Sequence, residues 1–161
     1  MSTIEQSIDV NVPVHTAYNQ WTQFEEFPRF MEGVEEVRQL DERRLHWRAT
    51  IGGRVEEWDA VITEQHPDER IAWKNTTGAP NAGVVTFHRL ADTKTRIMLQ
   101  MEYDPHGVVE NLGDLLGVVS RRVANDLERF KAYIEAQGQE TGVGRGRAAG
   151  PVSITWGAQR V

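Results

Sequence analysis

The apolar positions of this chain change period twice. Ile4, Ile8, Val10 and Val12 alternate with Glu5, Ser7, Asp9 and Asn11, a period of two that predicts a half-buried strand. Pro13 ends it, and a proline near a first helical turn suits a helix start because its missing N–H has no intrahelical partner there. Val14, Ala17, Tyr18 and Trp21 recur at spacings of three and four, one face of a short helix. A second short helical piece is broken by Pro28, leaving Phe24, Phe27, Phe30 and Met31 as an apolar wedge.

Strands resume around 34–40 and over 44–51. Gly52-Gly53 then makes a two-residue hairpin turn, since both positions can take φ > 0. That turn dictates a register: Trp47 opposite Trp58, Leu45 opposite Ala60, Ala49 opposite Glu56 and Ile51 opposite Arg54. The other face pairs Arg48 with Glu57 and His46 with Asp59. One face is aromatic and apolar and the other carries opposite charges, as a sheet with one wet side requires. Ile71, Trp73, Val85, Ile97, Leu99, Met101 and Tyr103 continue the inner face. The turn around Asp92 and Lys94 leaves one residue of slip between Phe87 and His88. Phe87 is expected inside, because burying a phenyl ring stabilises while burying an unpaired imidazole costs.

From about 106 to 136, Leu112, Leu116, Val119, Val123, Leu127, Phe130 and Ile134 form one continuous stripe, the pattern of a long amphipathic helix. Gly107, Gly113 and Gly117 loosen its first half, each costing about 1 kcal/mol against Ala. Close helix-to-sheet packing is one reading of these glycines, and a mobile lid over a ligand opening is the other. The order of elements describes a curved antiparallel sheet gripping a long helix, a shape that encloses a cavity. Residues 1–138 are expected to form this domain. Residues 139–161, rich in Gly, Arg and Ala at first, are expected to be a flexible tail, in which Val152, Ile154 and Trp156 could dock as a strand.

The 161 residues are enough for one self-sufficient core, and 39% hydrophobic with 26% charged residues is ordinary for a globular domain. There is no cysteine, hence no disulfide, thiolate nucleophile or Cys-based metal site. No stretch approaches a membrane span and no basic, apolar leader opens the chain, so a cytoplasmic protein without stable membrane insertion is expected. A net charge of −6 opposes a nucleic-acid partner. The charge is uneven: the segment after Gly138 is the more basic, with Arg145, Arg147 and Arg160 against Glu140.

The candidate chemistry is sparse. His15, His46, His66, His88 and His106 are scattered without metal-ligand spacing. No phosphate-cradling glycine loop or nucleophile elbow occurs, so neither metal nor cofactor is expected. Ser120 lies beside Arg121 and Arg122 with no patterned base and is expected to be a helix-surface or cavity-edge hydroxyl. What remains is an interior of large flat side chains on a concave sheet opposite one helix, which suits an apolar or aromatic ligand. The expected ligand contacts are Trp21, Phe27, Phe30, Trp47, Trp58, Trp73, Phe87, Met101, Leu112 and Leu116. Glu56 shares the tryptophan face near Arg54. Buried, it would hold a raised pKa and act as acid or base; at the sheet's open end it would be a solvated partner of Arg54, the reading preferred here. Tyr103 and Asn111 are further polar candidates.

Several segments resemble the SRPBCC (START / Bet v 1-like) superfamily, closest to its polyketide cyclase/dehydrase and coenzyme Q-binding START-like group. They are Pro13-Val14-His15-Thr16-Ala17-Tyr18-Asn19-Gln20-Trp21, Phe27-Pro28-Arg29-Phe30-Met31, Glu69-Arg70-Ile71-Ala72-Trp73, Gly83-Val84-Val85-Thr86-Phe87 and Asp126-Leu127-Glu128-Arg129-Phe130-Lys131. The resemblance covers roughly 3–137. It implies an α+β helix-grip fold, with seven antiparallel strands, two short helices after the first strand, and a long C-terminal helix over a hydrophobic cavity. Members bind lipids, quinones, hormones or polyketides, and a minority are aromatases or cyclases. No catalytic motif carries over residue by residue. Three functions therefore stand: a binding or carrier protein for a small lipophilic molecule; a cyclase or dehydratase using Glu56, with Arg54 or Tyr103 orienting a carbonyl; and a protein-interaction module using the sheet face or the tail. The first leads.

Overall fold

The computed structural model describes residues 2–51, 53–103 and 112–138. Seven strands form one antiparallel sheet: β1 (Ser2–Val10), β2 (Val34–Gln39), β3 (Arg44–Ile51), β4 (Arg54–His66), β5 (Arg70–Asn75), β6 (Asn81–Ala91) and β7 (Lys94–Tyr103). Their spatial order is β1-β7-β6-β5-β4-β3-β2. A short helix, α1 (Val14–Trp21), and a 3-10 turn, Phe24–Arg29, carry the chain from β1 to β2, and the long helix α2 (Leu112–Gln137) closes the chain's described part. The curled sheet with α2 is the α+β helix-grip architecture.

The hairpin register follows its turn. Gly53 takes φ +82°, a conformation that costs a residue with a Cβ, and all six expected β3–β4 pairs form, from Ile51 with Arg54 to Leu45 with Ala60. On the outer face, His46 Nδ1 lies 2.6 Å from Asp59 Oδ1 and its Nε2 lies 2.9 Å from Glu57 Oε1. The hydrogen bond to Asp59, then that to Glu57, raises the imidazole pKa above its ordinary 6.5. Phe87 is buried and His88 exposed, the register expected for β6. Pro28 lies within the 3-10 turn rather than ending it. The chain turns there because Phe27 O accepts from both Phe30 N and Met31 N.

Helix α2 is held on both sides. Towards β1, Lys131 Nζ donates to Asp9 O at 3.0 Å, Asn11 N to Glu135 Oε2 at 2.7 Å, and Gln6 Nε2 to Ser120 Oγ at 2.9 Å. Ser120 is thus a structural hydroxyl. Towards the turn before β2, Arg129 Nε donates to Phe30 O at 3.0 Å, while Arg122 Nη1 donates to Thr50 O at 2.6 Å. Between these ties Leu127, Phe130 and Ile134 are fully buried. Residues 106–111 and 139–161, which include Asn111 and the expected tail, lie outside the described residues.

One end of the interior is solid. Phe130 meets Trp21 at 5.1 Å and Phe30 at 5.2 Å between ring centroids, Tyr18 meets Phe87 at 5.5 Å, and Phe24, Phe27 and Phe30 follow one another at 5.5 Å. All these contacts are edge to face, the geometry that the ring quadrupole favours and that interlocks rings in three dimensions.

Candidate functional site

The other end of the interior is hollow. A cavity of about 200 Å³ lies between the inner face of the sheet and α2. Trp21, Phe24 and Phe27 close it towards the solid end, and Met31 and Val34 flank it on the β2 side. The sheet supplies Leu45, Trp47, Trp58, Ala60, Ile62, Ile71, Trp73, Leu99 and Met101, and α2 supplies Val123, Asp126 and Leu127.

The tryptophans make walls rather than plugs. Trp47 and Trp58, paired in the hairpin, stack with centroids 5.8 Å apart and planes 9° from parallel. Trp73 pairs with Gly83 on β6. A Cβ at Gly83 would come within 2.6 Å of the Trp73 ring and 2.7 Å of the Gln100 carbonyl, so only glycine lets this indole approach β6 so closely. Its Nε1 donates to Asn81 Oδ1 at 2.9 Å, and Asn81 Nδ2 reaches Met101 Sδ at 3.3 Å. The ring is thus held between Gly83 and Asn81 on the cavity wall.

Three polar side chains reach the wall: Asn75, Asn81 and Asp126. Asn75 Nδ2 donates to Ala79 O at 3.0 Å. Asp126 Oδ1 accepts from Glu32 N at 3.2 Å and from Arg129 Nη2 at 3.0 Å. Burial raises the Asp126 pKa, and these hydrogen bonds offset the rise only partly. Asp126 stands three residues after Val123 and four before Phe130, on the edge of the helical stripe. That spacing was the signal by which the sequence could have revealed it. Asn75, two residues beyond Trp73 on the same strand face, was equally readable.

Of the residues expected to meet a ligand, Trp21, Phe27, Trp47, Trp58, Trp73 and Met101 line the cavity. Phe30 and Phe87 point inward but belong to the solid end, packed on Phe130 and on Tyr18. Leu112 and Leu116 have backbones in α2 and side chains outside the described residues. Glu56 stands on the inner face but is half exposed, with its Oε2 4.0 Å from Arg54 Nε, so the solvated placement is the one observed. Tyr103 is half-buried; burial first, then the nearby Glu56 charge, raises its phenol pKa.

The profile of the family described as polyketide cyclase / dehydrase and lipid transport matches residues 10–132. The chain belongs to that family. It thereby falls within the SRPBCC superfamily. It is 58% identical over 147 residues to an uncharacterized 17.2 kDa protein in the melC2-rnhH intergenic region of Streptomyces lincolnensis, covering 91% of this chain and 98% of that one. The Zhui aromatase/cyclase from Streptomyces sp. R1128 shares the fold with a TM-score of 0.77 at 15% identity, covering 88% of this chain and 98% of that one. A START superfamily protein from Mycobacterium smegmatis does so with a TM-score of 0.70 at 12% identity, over 82% and 98%. At such identities the structural likeness concerns the fold. Among the described residues no helix is long and apolar enough to cross a membrane.

Proposed function

We propose that this protein binds or carries a small lipophilic molecule, of lipid, quinone or aromatic polyketide-like character, in the cavity under α2, without covalent catalysis. The supporting observation is the wall itself: four tryptophans, two phenylalanines and a set of aliphatic side chains border open space. Apolar surface held open in this way is favourable to cover with an apolar guest. The cysteine-free composition fits the reducing cytoplasm, which is the compartment we assign. Mass spectrometry of organic extracts from protein purified gently out of its own host tests the reading. A lipophilic compound at stoichiometric ratio is expected, and a folded, pure protein that yields none contradicts it.

A second reading, a cyclase, aromatase or dehydratase acting on a bound polyketide chain, draws on one observation in this chain. Burial, then the Glu56 charge, raises the Tyr103 phenol pKa, and Glu56 Oε2 lies 4.0 Å from Arg54 Nε. Glu56→Gln would then abolish turnover of a polyketide chain while sparing its binding. Unchanged turnover removes Glu56 from the chemistry.

A further inference from the structure

The size of the cavity and the kind of polar atom it leaves free narrow the ligand beyond "lipophilic". An apolar cavity of about 150 Å³ accommodates benzene, and sites for drug-sized molecules begin at about 300 Å³. At about 200 Å³ among the described residues, this one suits one or two rings better than a long chain. Its largest aromatic side chains include the Trp47–Trp58 pair and Trp73, surroundings that favour an aromatic guest.

The polar atoms are unequal. Asn81 is engaged through both its oxygen, by Trp73, and its nitrogen, by Met101. Asn75 uses one of its two amide N–H groups on Ala79 O, and Asp126 uses Oδ1 on Glu32 N and Arg129. Among the described residues, Asn75 Oδ1 and Asp126 Oδ2 accept no hydrogen bond. Both are acceptors, and one belongs to a carboxylate that Arg129 holds as an ion pair. A partly buried acceptor without a donor is costly, and a second carboxylate beside Asp126 would be repelled.

Resting on the lipophilic-ligand reading above, we propose that the cavity selects compact, neutral, one- or two-ring aromatic alcohols, with the hydroxyl donating to Asp126 and the ring lying against the tryptophans. Long-chain lipids and aromatic carboxylates are excluded by volume and by charge.

Calorimetric titration of the full chain with 2-naphthol, naphthalene, 2-naphthoate, palmitate and decyl-ubiquinone tests this directly. The expected order is 2-naphthol tightest, naphthalene weaker by about tenfold for the lost charge-assisted hydrogen bond, and no measurable binding of the rest. Asp126→Asn should bring 2-naphthol down to within a few-fold of naphthalene while naphthalene, which reports an intact cavity, binds as before. Equal binding of 2-naphthol and naphthalene to the wild type, or tighter binding of 2-naphthoate, overturns the assignment to Asp126. Binding of palmitate or the quinone without either neutral ring compound overturns this inference and leaves the lipophilic-ligand reading standing. No binding by any of the five overturns this inference, and the extraction experiment then decides the broader reading by itself.

Discussion

The two ends of the interior use the same kinds of side chain to opposite effect. At the solid end Trp21, Phe24, Phe27, Phe30 and Phe130 meet edge to face, and Tyr18 and Phe130 are wholly buried. At the hollow end Trp47 and Trp58 lie nearly parallel, and Trp73 packs against Gly83. The first set of rings interlocks and fills volume, whereas the second borders open space. Aromatic content therefore does not decide whether this interior is core or pocket. The packing around the rings does, and at Trp73 the ring's position depends on a missing Cβ and one hydrogen bond to Asn81.

The largest contrast should come from truncation. Phe130→Ala removes a ring locked between Trp21 and Phe30 and should cost about 3–5 kcal/mol. Leu99→Ala enlarges space that is already empty and should cost about 2 kcal/mol, near the lower limit for such changes. Urea denaturation with an unchanged m-value measures both, and equal costs would erase the distinction between the ends. Overpacking comes next. Ala17→Leu, in the solid end, should destabilise by about 1–3 kcal/mol. Ala60→Leu, on the cavity wall, has room to grow and should stay within about 1 kcal/mol of the wild type while abolishing ligand binding. Gly83→Ala lies between them: Trp73 and the Gln100 carbonyl must give way, costing about 1–2 kcal/mol and pushing the indole into the cavity. A thermal melt paired with a binding titration would show both effects together, and unchanged binding would mean that Trp73 does not set the floor.

The smallest effect lies on the outer face and calibrates the inner ones. His46 has its pKa raised in the fold by Asp59 and Glu57. Its stabilisation is therefore complete below its ordinary 6.5, as long as the carboxylates stay ionised, and fades as pH rises through the raised value. The stability gap between wild type and His46→Gln, followed in urea across this range, should narrow with rising pH. A gap that widens instead would show the imidazole is not held protonated by that pair.

Much of the fold was legible because its determinants are local. A Gly-Gly turn and a period of two fix the β3–β4 register, and alternation fixes which face of β7 is buried. The site was only half legible. The pattern correctly turns Phe30 and Phe87 inward, but whether an inward residue meets packing or space depends on how far α2 stands from the sheet. Ties far apart in sequence set that distance, such as Lys131 to Asp9 and Arg129 to Phe30. Gly83 shows the same limit. A glycine inside a strand signals a close approach, but only the register with Trp73 says what approaches.

The most direct test of the account is a methyl NMR titration of the full chain with 2-naphthol. The account predicts saturable shifts at Ile62, Ile71, Leu99 and Leu127 on the cavity wall, with the buried Val10, Ile97 and Ile134 unmoved. Saturable shifts that spare the four wall residues, or that fall mainly on Val10, Ile97 and Ile134, would contradict it.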